Sequence, residues 1–253
     1  MKNQHYTLAI AVCLASLAGC DSQTERIAGS PPDGEGPSFA ASVIPPTARI
    51  FGKTYGQWSA AWWQWSYGQP VSSNPTFDET GALCGNGQSG RVWFLTGVFN
   101  VSGTAVRDQC VIPVDKAIFF PVLNAECSNA ELNGTTPDEL RACAKGLLDL
   151  ASNLSAEVDG VAVPNLDRFR VKSPPFNFVL PDDNLLQLFG FDAPAGSCLP
   201  NGNACDPYLS VGHGVYVMLA PISAGAHTIH FHGEIPAFAF ALDITYHLTV
   251  AAR

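Results

Sequence analysis

The chain has 253 residues, and its 22 acidic and 13 basic side chains give it a formal net charge of −9 at pH 7. Hydrophobic residues make up 47% and charged residues 14% of the chain, which excludes disorder over its whole length. The acidic balance argues against nucleic acid as a partner. The 23 glycines and 19 prolines exclude a long helical bundle. The length fits one large domain with a substantial core.

The first twenty residues have the pattern of an export signal. Lys2 precedes an apolar stretch at residues 8–17 that is too short to span a bilayer. The run Leu17-Ala18-Gly19-Cys20 resembles the lipobox of bacterial lipoproteins, in which a peptidase cleaves before the cysteine. That resemblance implies a signal peptide over residues 1–19, acyl chains such as palmitate at Cys20, and a membrane-anchored protein of the cell envelope. An ordinary signal peptide with an accidental cysteine is the alternative.

Composition then divides the remaining chain into two parts. Residues 20–48 are rich in Ser, Pro, Gly and charged side chains and have no hydrophobic period, which predicts a lipidated, disordered tether. Residues 49–253 are predicted to form a single domain.

The cysteines support an oxidising compartment. Once Cys13 in the signal and Cys20 are set aside, six remain, and an even number in an exported chain indicates three disulfides. Six cysteines allow fifteen pairings. We favour nearest-neighbour pairing, which gives Cys84–Cys110, Cys127–Cys143 and Cys198–Cys205. Zinc ligation is the alternative, but no two of these cysteines have the spacing that zinc sites use.

Hydrophobic periodicity and the positions of turn residues predict two main helices, at 54–67 and from 136 to about 153. The second is predicted because Thr136, Pro137 and Glu139 form a helix-start signature. The other segments favour strands. Predicted strands lie at 91–99 and 104–112, as a hairpin, and at 116–123, 211–220, 226–232 and 238–250, with a tight hairpin turn at Asp159-Gly160 and a short helix near 185–188. This pattern indicates a mainly β fold, an antiparallel β-sandwich or jelly roll with two helical insertions.

Aromatic residues form a stripe on the first helix, with spacings of four, three, four and three at Phe51, Tyr55, Trp58, Trp62 and Trp65. The favoured interpretation is that this stripe is buried against a sheet, with each indole N–H hydrogen-bonded. Trp63 falls off the stripe. It is the candidate for an exposed aromatic surface that stacks on sugar rings.

The same segment, Gly52-x-x-Tyr55-x-x-Trp58-x-x-x-Trp62-Trp63-x-Trp65, resembles the opening motif of a bacterial family of exported proteins and lipoproteins. The resemblance continues through Val92-Trp93-Phe94-Leu95, Phe119-Phe120-Pro121-Val122-x-Asn124 and Gly225-x-His227-x-Ile229-x-Phe231. It implies one exported domain over most of residues 50–250, and it implies no activity or catalytic residue.

Five of the six histidines lie between residues 213 and 247. Strand alternation turns His230 and His232 to the same face, opposite Ile229 and Phe231. Pairing Ile229 with Leu242 makes Asp243 a diagonal neighbour of His230. Two imidazoles and a carboxylate form a possible transition-metal site, whereas solvated or packed surface histidines are the simpler interpretation. His230-Phe231-His232-Gly233 resembles the first copper-ligand segment of multicopper oxidases, but the sequence lacks their other copper motifs.

A further candidate follows the predicted strand 116–123. The run Asn124-Ala125-Glu126 follows it, at a strand end, where catalytic carboxylates often lie. With Glu131, Glu126 could form an acid–base pair of the glycosidase kind. A solvated loop is the interpretation we favour for these two residues.

Three hypotheses follow. The leading one is a lipid-anchored envelope protein whose β domain binds a small molecule, glycan or protein partner without catalysis. The second is a transition-metal binder or metal-dependent enzyme that uses His230, His232 and Asp243, with Glu126 as an acid–base group. The third is carbohydrate binding through exposed Trp63.

Overall fold

The computed structural model describes residues 43–100, 102–200 and 205–252. Cys20 and residues 1–19 lie outside this range. The described chain forms two packed β-sheets with three α-helices, which confirms the mainly β prediction. The helices are α1 (Tyr55–Tyr67), α2 (Pro137–Leu148) and α3 (Leu185–Leu188). The strands are β1 (Val92–Phe94), β2 (Thr104–Arg107), β3 (Val111–Pro113), β4 (Ala117–Ser128), β5 (Ser152–Val158), β6 (Val161–Ala162), β7 (Arg170–Lys172), β8 (Phe176–Asn177), β9 (Leu209–Leu219), β10 (Gly225–Ile235) and β11 (Phe240–Ala251).

The two sheets are mixed rather than purely antiparallel. The first has the order β1-β4-β9-β7, with β8 also paired to β9. The second has the order β2-β11-β10-β5-β6, with β3 also paired to β11. The strands β1, β2 and β3 pair in parallel with their neighbours β4 and β11. Parallel pairs arise because the chain reaches these strands by crossing between the sheets instead of turning back on itself.

The core lies between the sheets and continues under α1. Phe120 on β4 stacks on Phe231 of β10 across the two layers, with 5.2 Å between ring centroids. On the outer face of the first sheet, Tyr55 of α1 packs edge-on against Phe119 at 5.7 Å. The first sheet is therefore buried on both faces, as the unbroken apolar run in β4 requires.

The helix α1 begins at a capping box in which Thr54 and Gln57 satisfy each other's backbone N–H groups. Three of its indoles donate to backbone oxygens: Trp58 to Ile50 at 2.9 Å, Trp62 to Leu95 at 2.8 Å and Trp65 to Asn86 at 3.0 Å. The aromatic stripe predicted for this helix is thus present from Tyr55 to Trp65, whereas Phe51, predicted as its first member, precedes the helix and is exposed.

The helix α2 begins as predicted, with Thr136 as N-cap, Pro137 in the first turn and Glu139 closing the capping box. It ends at Leu148, earlier than the predicted Asn153, because the chain turns there into β5. Its buried side chains Leu140 and Ala144 pack with Cys127 and Val211 of the first sheet. The Cys127–Cys143 disulfide joins this helix to β4.

All three predicted cysteine pairings occur. Cys84 is bonded to Cys110, Cys127 to Cys143 and Cys198 to Cys205. The first links the loop before β1 to the chain after β2, so it ties together segments that belong to different sheets.

The predicted hairpin over 91–112 is wrong. Its first strand, β1, pairs with β4 of the first sheet, whereas β2 pairs with β11 of the second. The cause is Arg107, which is fully buried and donates to the backbone oxygens of Asp78, Thr96, Pro75 and Gly97. This guanidinium holds the chain between β1 and β2 in an irregular path, because its donors need these acceptors.

The predicted tether 20–48 differs from the structure at its end. Val43 forms a β-bridge with Leu219, and the Ile44 N–H donates to the Met218 oxygen at 2.8 Å. The folded part therefore includes residues 43–48, because their backbone groups find partners on β9. No helix within the described ranges is long and apolar enough to cross a membrane.

Candidate functional site

The candidate site lies along β4, beyond the point where β1 stops pairing with it. The strand β1 pairs only with residues 117–119. Pro121 follows, and a bulge interrupts the pairing with β9 between Pro121 and Leu123. Proline lacks a backbone N–H, so it limits how far a neighbouring strand can pair along this edge. The rest of the β4 edge, including Asn124 and Glu126, faces a cavity.

Glu126 is buried on the face of β4 that α1 covers, with 9% of its surface exposed. Its two carboxyl oxygens accept hydrogen bonds from the Tyr67 and Ser210 hydroxyls. Tyr67 is the last residue of α1, and Ser210 lies on the adjacent strand β9. The prediction that Glu126 occupies a solvated loop is wrong, because the bulge lets β4 continue through Pro121 to Ser128.

Glu131 lies in the turn after β4 and is 6% exposed. Its carboxyl accepts a hydrogen bond from the Ser128 hydroxyl at 2.7 Å, and the same hydroxyl accepts the Glu131 backbone N–H at 3.3 Å. This turn brings the carboxyl back over the strand to Glu126, with which it interacts directly. The Glu126–Glu131 pair named in the sequence analysis is therefore present as two buried, contacting carboxyl groups.

Burial and the negative charge of Glu126 raise the pKa of Glu131 well above its usual range. Burial also raises the pKa of Glu126, but hydrogen bonds from Glu131, Ser210 and Tyr67 oppose this rise. Burial and both glutamates raise the pKa of Tyr67, which therefore stays a hydrogen-bond donor. Two neighbouring buried carboxyl groups cannot both ionise at low cost, so Glu126 is the first of the two to lose its proton and Glu131 keeps its proton to higher pH.

The carboxyl pair forms one wall of a cavity of about 110 Å³, which we call the acid-pair cavity. This volume is several times the roughly 10–15 Å³ that one water molecule needs. Its remaining walls are mainly apolar: Trp63, Phe99, Leu123, Leu147, Leu185, Leu186, Phe189, Ile235 and Phe240. Phe99 and Phe189, in edge contact at 5.4 Å, border the cavity where Phe99 is 39% exposed. Among the described residues, no lysine, arginine or histidine lines this cavity.

Trp63 is not exposed, which corrects the expectation on which the carbohydrate hypothesis was based. It is 8% exposed and packs between Trp62, at 4.9 Å, and Tyr67, at 5.6 Å. It falls off the aromatic stripe, but α1 is covered on that side too, because Gly212 on β9 lets the indole approach the sheet. Its ring lines the acid-pair cavity instead of the protein surface.

The predicted histidine cluster contacts carboxyl groups on β10 and β11. The His230 Nε2 atom lies 3.1 Å from the Asp243 carboxylate, and His232 contacts Asp243 at 3.3 Å and Glu234 at 3.1 Å. The pairing of β10 with β11 is shifted by four residues along β11 from the predicted register. Phe231 pairs with Ile244, and His232 pairs with Asp243. The shift arises because β10 continues to Ile235 before the chain turns through Pro236–Phe238.

Within the described ranges no group of three or more His, Cys, Asp and Glu side chains is arranged to hold a metal ion. The transition-metal hypothesis for His230, His232 and Asp243 stays a prediction, and so does catalysis by Glu126.

Sequence reasoning missed the partners of the carboxyl pair. Tyr67 ends α1 and Ser210 begins the buried part of β9, and neither has a motif that marks it. The available signal was Pro121 inside an apolar run, which is typical of a bulged edge strand that continues.

Comparisons with protein-family models, with curated proteins and with solved structures found no match.

Proposed function

We propose that this is a lipid-anchored protein of the bacterial cell envelope whose folded domain binds a small ligand in the acid-pair cavity. The observation that supports this proposal is the buried Glu126–Glu131 pair in the wall of a mainly apolar cavity. Apolar walls with a few convergent polar groups and shifted pKa values are typical of ligand sites. The three disulfides are compatible with an extracytoplasmic location.

The charges of the site select the kind of ligand. Glu126 is the carboxyl of the pair that ionises first, and no basic side chain of the described residues lines the cavity. A buried charge is stabilised by an opposite charge with which it also forms hydrogen bonds. We therefore infer a ligand with an apolar body and a cationic amine, the amine lying at the carboxyl pair.

The test uses three probes of one shape: benzylamine, benzyl alcohol and benzoate. We expect calorimetric titration to show benzylamine binding at least tenfold more tightly than benzoate, because the charge at Glu126 attracts one and repels the other. Glu126→Gln should weaken benzylamine binding about tenfold or more, the effect of one charged hydrogen bond. Glu157→Gln, at an exposed position of β5, is the matched control and should bind like the wild type.

Equal affinity for benzylamine and benzoate would contradict the proposal. So would a Glu126→Gln variant that is folded by circular dichroism and binds benzylamine as the wild type does.

A further inference from the structure

The edge of β4 that faces away from β9 has no partner strand beyond Phe119 among the described residues. Near the start of the strand, the Ala117 N–H donates to the Arg91 oxygen and the Phe119 oxygen accepts the Leu95 N–H, both at 3.0 Å, away from β9. Near its end, the Ser128 N–H donates to the Asn133 side chain at 3.2 Å. Backbone groups alternate sides along a strand, so between the bulge and Ser128 the residues that face this edge are Asn124 and Glu126.

The neighbouring strand β9 shows independently that the backbone groups of Glu126 face the unpaired edge of β4. Gly212 is the register partner of Glu126. Its backbone N–H donates to the Ser173 hydroxyl at 2.8 Å, and its oxygen accepts the Ser173 N–H at 2.9 Å. Gly212 therefore faces away from β4, which makes Glu126 and Gly212 a pair that exchanges no backbone hydrogen bonds. The backbone groups of Glu126 consequently face away from β9, toward the edge without a partner strand.

Within the described chain, no group is hydrogen-bonded to the backbone N–H or oxygen of Asn124 or Glu126 on this side. Both residues line the acid-pair cavity. Backbone donors and acceptors are nearly always paired in folded proteins, by protein, water or ligand. Two donors and two acceptors along one strand edge match the main chain of an extended peptide, which binds by adding a strand to a sheet.

We propose that the ligand of the acid-pair cavity is an extended peptide segment with a basic residue, which adds to β4 opposite Asn124 and Glu126. Its cationic side chain lies at the Glu126–Glu131 pair, and its apolar neighbours lie against the aromatic border formed by Phe99 and Phe189. The formal net charge of −9 favours a basic partner over an acidic one. This inference rests on the proposed function and specifies its ligand class.

The test compares peptides that differ in one backbone atom. The parent probe is N-acetyl-Leu-Lys-Leu-amide, with n-butylamine as the side-chain amine alone. We expect the peptide to bind at least tenfold more tightly than n-butylamine, because the main chain adds hydrogen bonds to β4. Two ester analogues each replace one of two adjacent amide N–H groups by oxygen. In a strand only every second N–H faces the partner, so one ester should lose about fivefold in affinity and the other should bind like the parent.

A pair of variants tests the protein side of the same bonds. Asn124→Pro removes the backbone N–H that faces the cavity, whereas Asn124→Ala keeps it and removes the same side-chain hydrogen bond to Tyr216. We expect Asn124→Pro to bind the peptide at least fivefold more weakly than Asn124→Ala, with both binding n-butylamine equally. Circular dichroism and thermal melting establish that both fold. If Asn124→Pro does not fold, the affinities of the two ester analogues still decide whether the peptide binds by adding a strand to β4.

The outcomes separate this inference from the proposed function. If amines bind in a Glu126-dependent manner but the peptide binds no tighter, or if neither ester or both esters lose affinity, strand addition is overturned and the small-ligand site stands. If neither n-butylamine nor the peptide binds, or if Glu126→Gln binds both as the wild type does, both proposals are overturned.

Discussion

At the scale of single residues, Glu131 links the stability of the fold to pH. Its folded pKa lies well above the ordinary 4.5 because of burial and the charge of Glu126. Between 4.5 and the raised folded value, the folded protein holds a proton that the unfolded chain releases. Stability from this group therefore falls as the pH rises through that window, by at most about 1.4 kcal/mol per pH unit for one proton.

Glu131→Gln removes the carboxyl group whose proton makes the folded and unfolded states bind different numbers of protons. A neutral amide can still donate to the Glu126 carboxylate, so we expect the variant to fold and to lose less stability between pH 5 and pH 8 than the wild type. The difference in the pH-dependent change should be about 1 kcal/mol or more. Urea unfolding followed by circular dichroism at four pH values measures it. Parallel curves for the variant and the wild type would show that Glu131 titrates normally.

A second group, His213, changes the stability with pH in the opposite direction. The Glu131→Gln variant and the wild type must therefore be compared at each pH. Burial and the charge of Arg170 lower the pKa of His213 to about 4, and the Arg170 Nε–H donates to the His213 Nε2 atom at 3.2 Å. Between pH 6.5 and about 4 the unfolded chain binds a proton that the folded chain does not, so stability falls as the pH falls. His213→Gln should reduce this acid-side loss, and the same titrations record it.

The candidate site was predictable in its residues but not in its environment. Glu126 and Glu131 attract attention as carboxyls near a strand end, yet their burial depends on a bulge at Pro121 that an apolar run does not specify. For Trp63, the helical period places the ring off the aromatic stripe. The helical period cannot show that glycine on β9 lets the sheet also cover the side of α1 that carries Trp63.

At the scale of elements, the packing of α1 on the first sheet depends on glycine at the contact. A Cβ atom on Gly212 would lie 2.8 Å from the Trp63 Nε1 atom and 2.9 Å from Cδ1. Both distances are shorter than a normal contact, and the ring belongs to a rigid, buried side chain. The close approach of this helix to β9 therefore requires glycine at position 212.

Gly212→Ala should destabilise the protein by about 1–3 kcal/mol, the usual effect of overpacking a core. It should also displace the Trp63 ring and so change the acid-pair cavity. Gly146→Ala is the matched control, because Gly146 lies in α2 with open space at its Cβ position. Alanine there should stabilise by about 0.5–1 kcal/mol. Thermal melting of both variants measures the effects, and equal melting temperatures would contradict this account of the contact.

Helix starts and turns that local chemistry specifies agree with the sequence predictions, whereas the pairing partners of β1 and β2, which distant contacts specify, do not. Capping residues place the starts of α1 and α2, and Asp159 and Gly160 form the predicted turn, both with positive φ angles, of 50° and 76°. The hairpin over 91–112 failed because Arg107 takes its acceptors from four separate backbone positions. No local pattern records such a contact.

At the scale of the whole molecule, disulfides and sheet pairing together hold the two sheets and α2 to one another. Cys84–Cys110 ties together segments on either side of the crossover between the sheets, and Cys127–Cys143 fixes α2 on the first sheet. Cross-links that close 26 and 16 residues reduce the freedom of the unfolded chain. Such bonds persist in oxidising compartments, so they are compatible with an extracytoplasmic location.

The lipid anchor is a separate prediction, since Cys20 lies outside the described residues. In Cys20→Ser we expect the thioether-linked lipid to be lost while the three disulfides still form. Each buried methylene of an acyl chain contributes about 0.8 kcal/mol to membrane binding, so the variant should leave the membrane fraction and incorporate no labelled palmitate. Cys13→Ser, within the apolar stretch of the signal, is the matched control and should be labelled like the wild type. Equal labelling and equal membrane retention of Cys20→Ser and wild type would exclude lipidation at this cysteine.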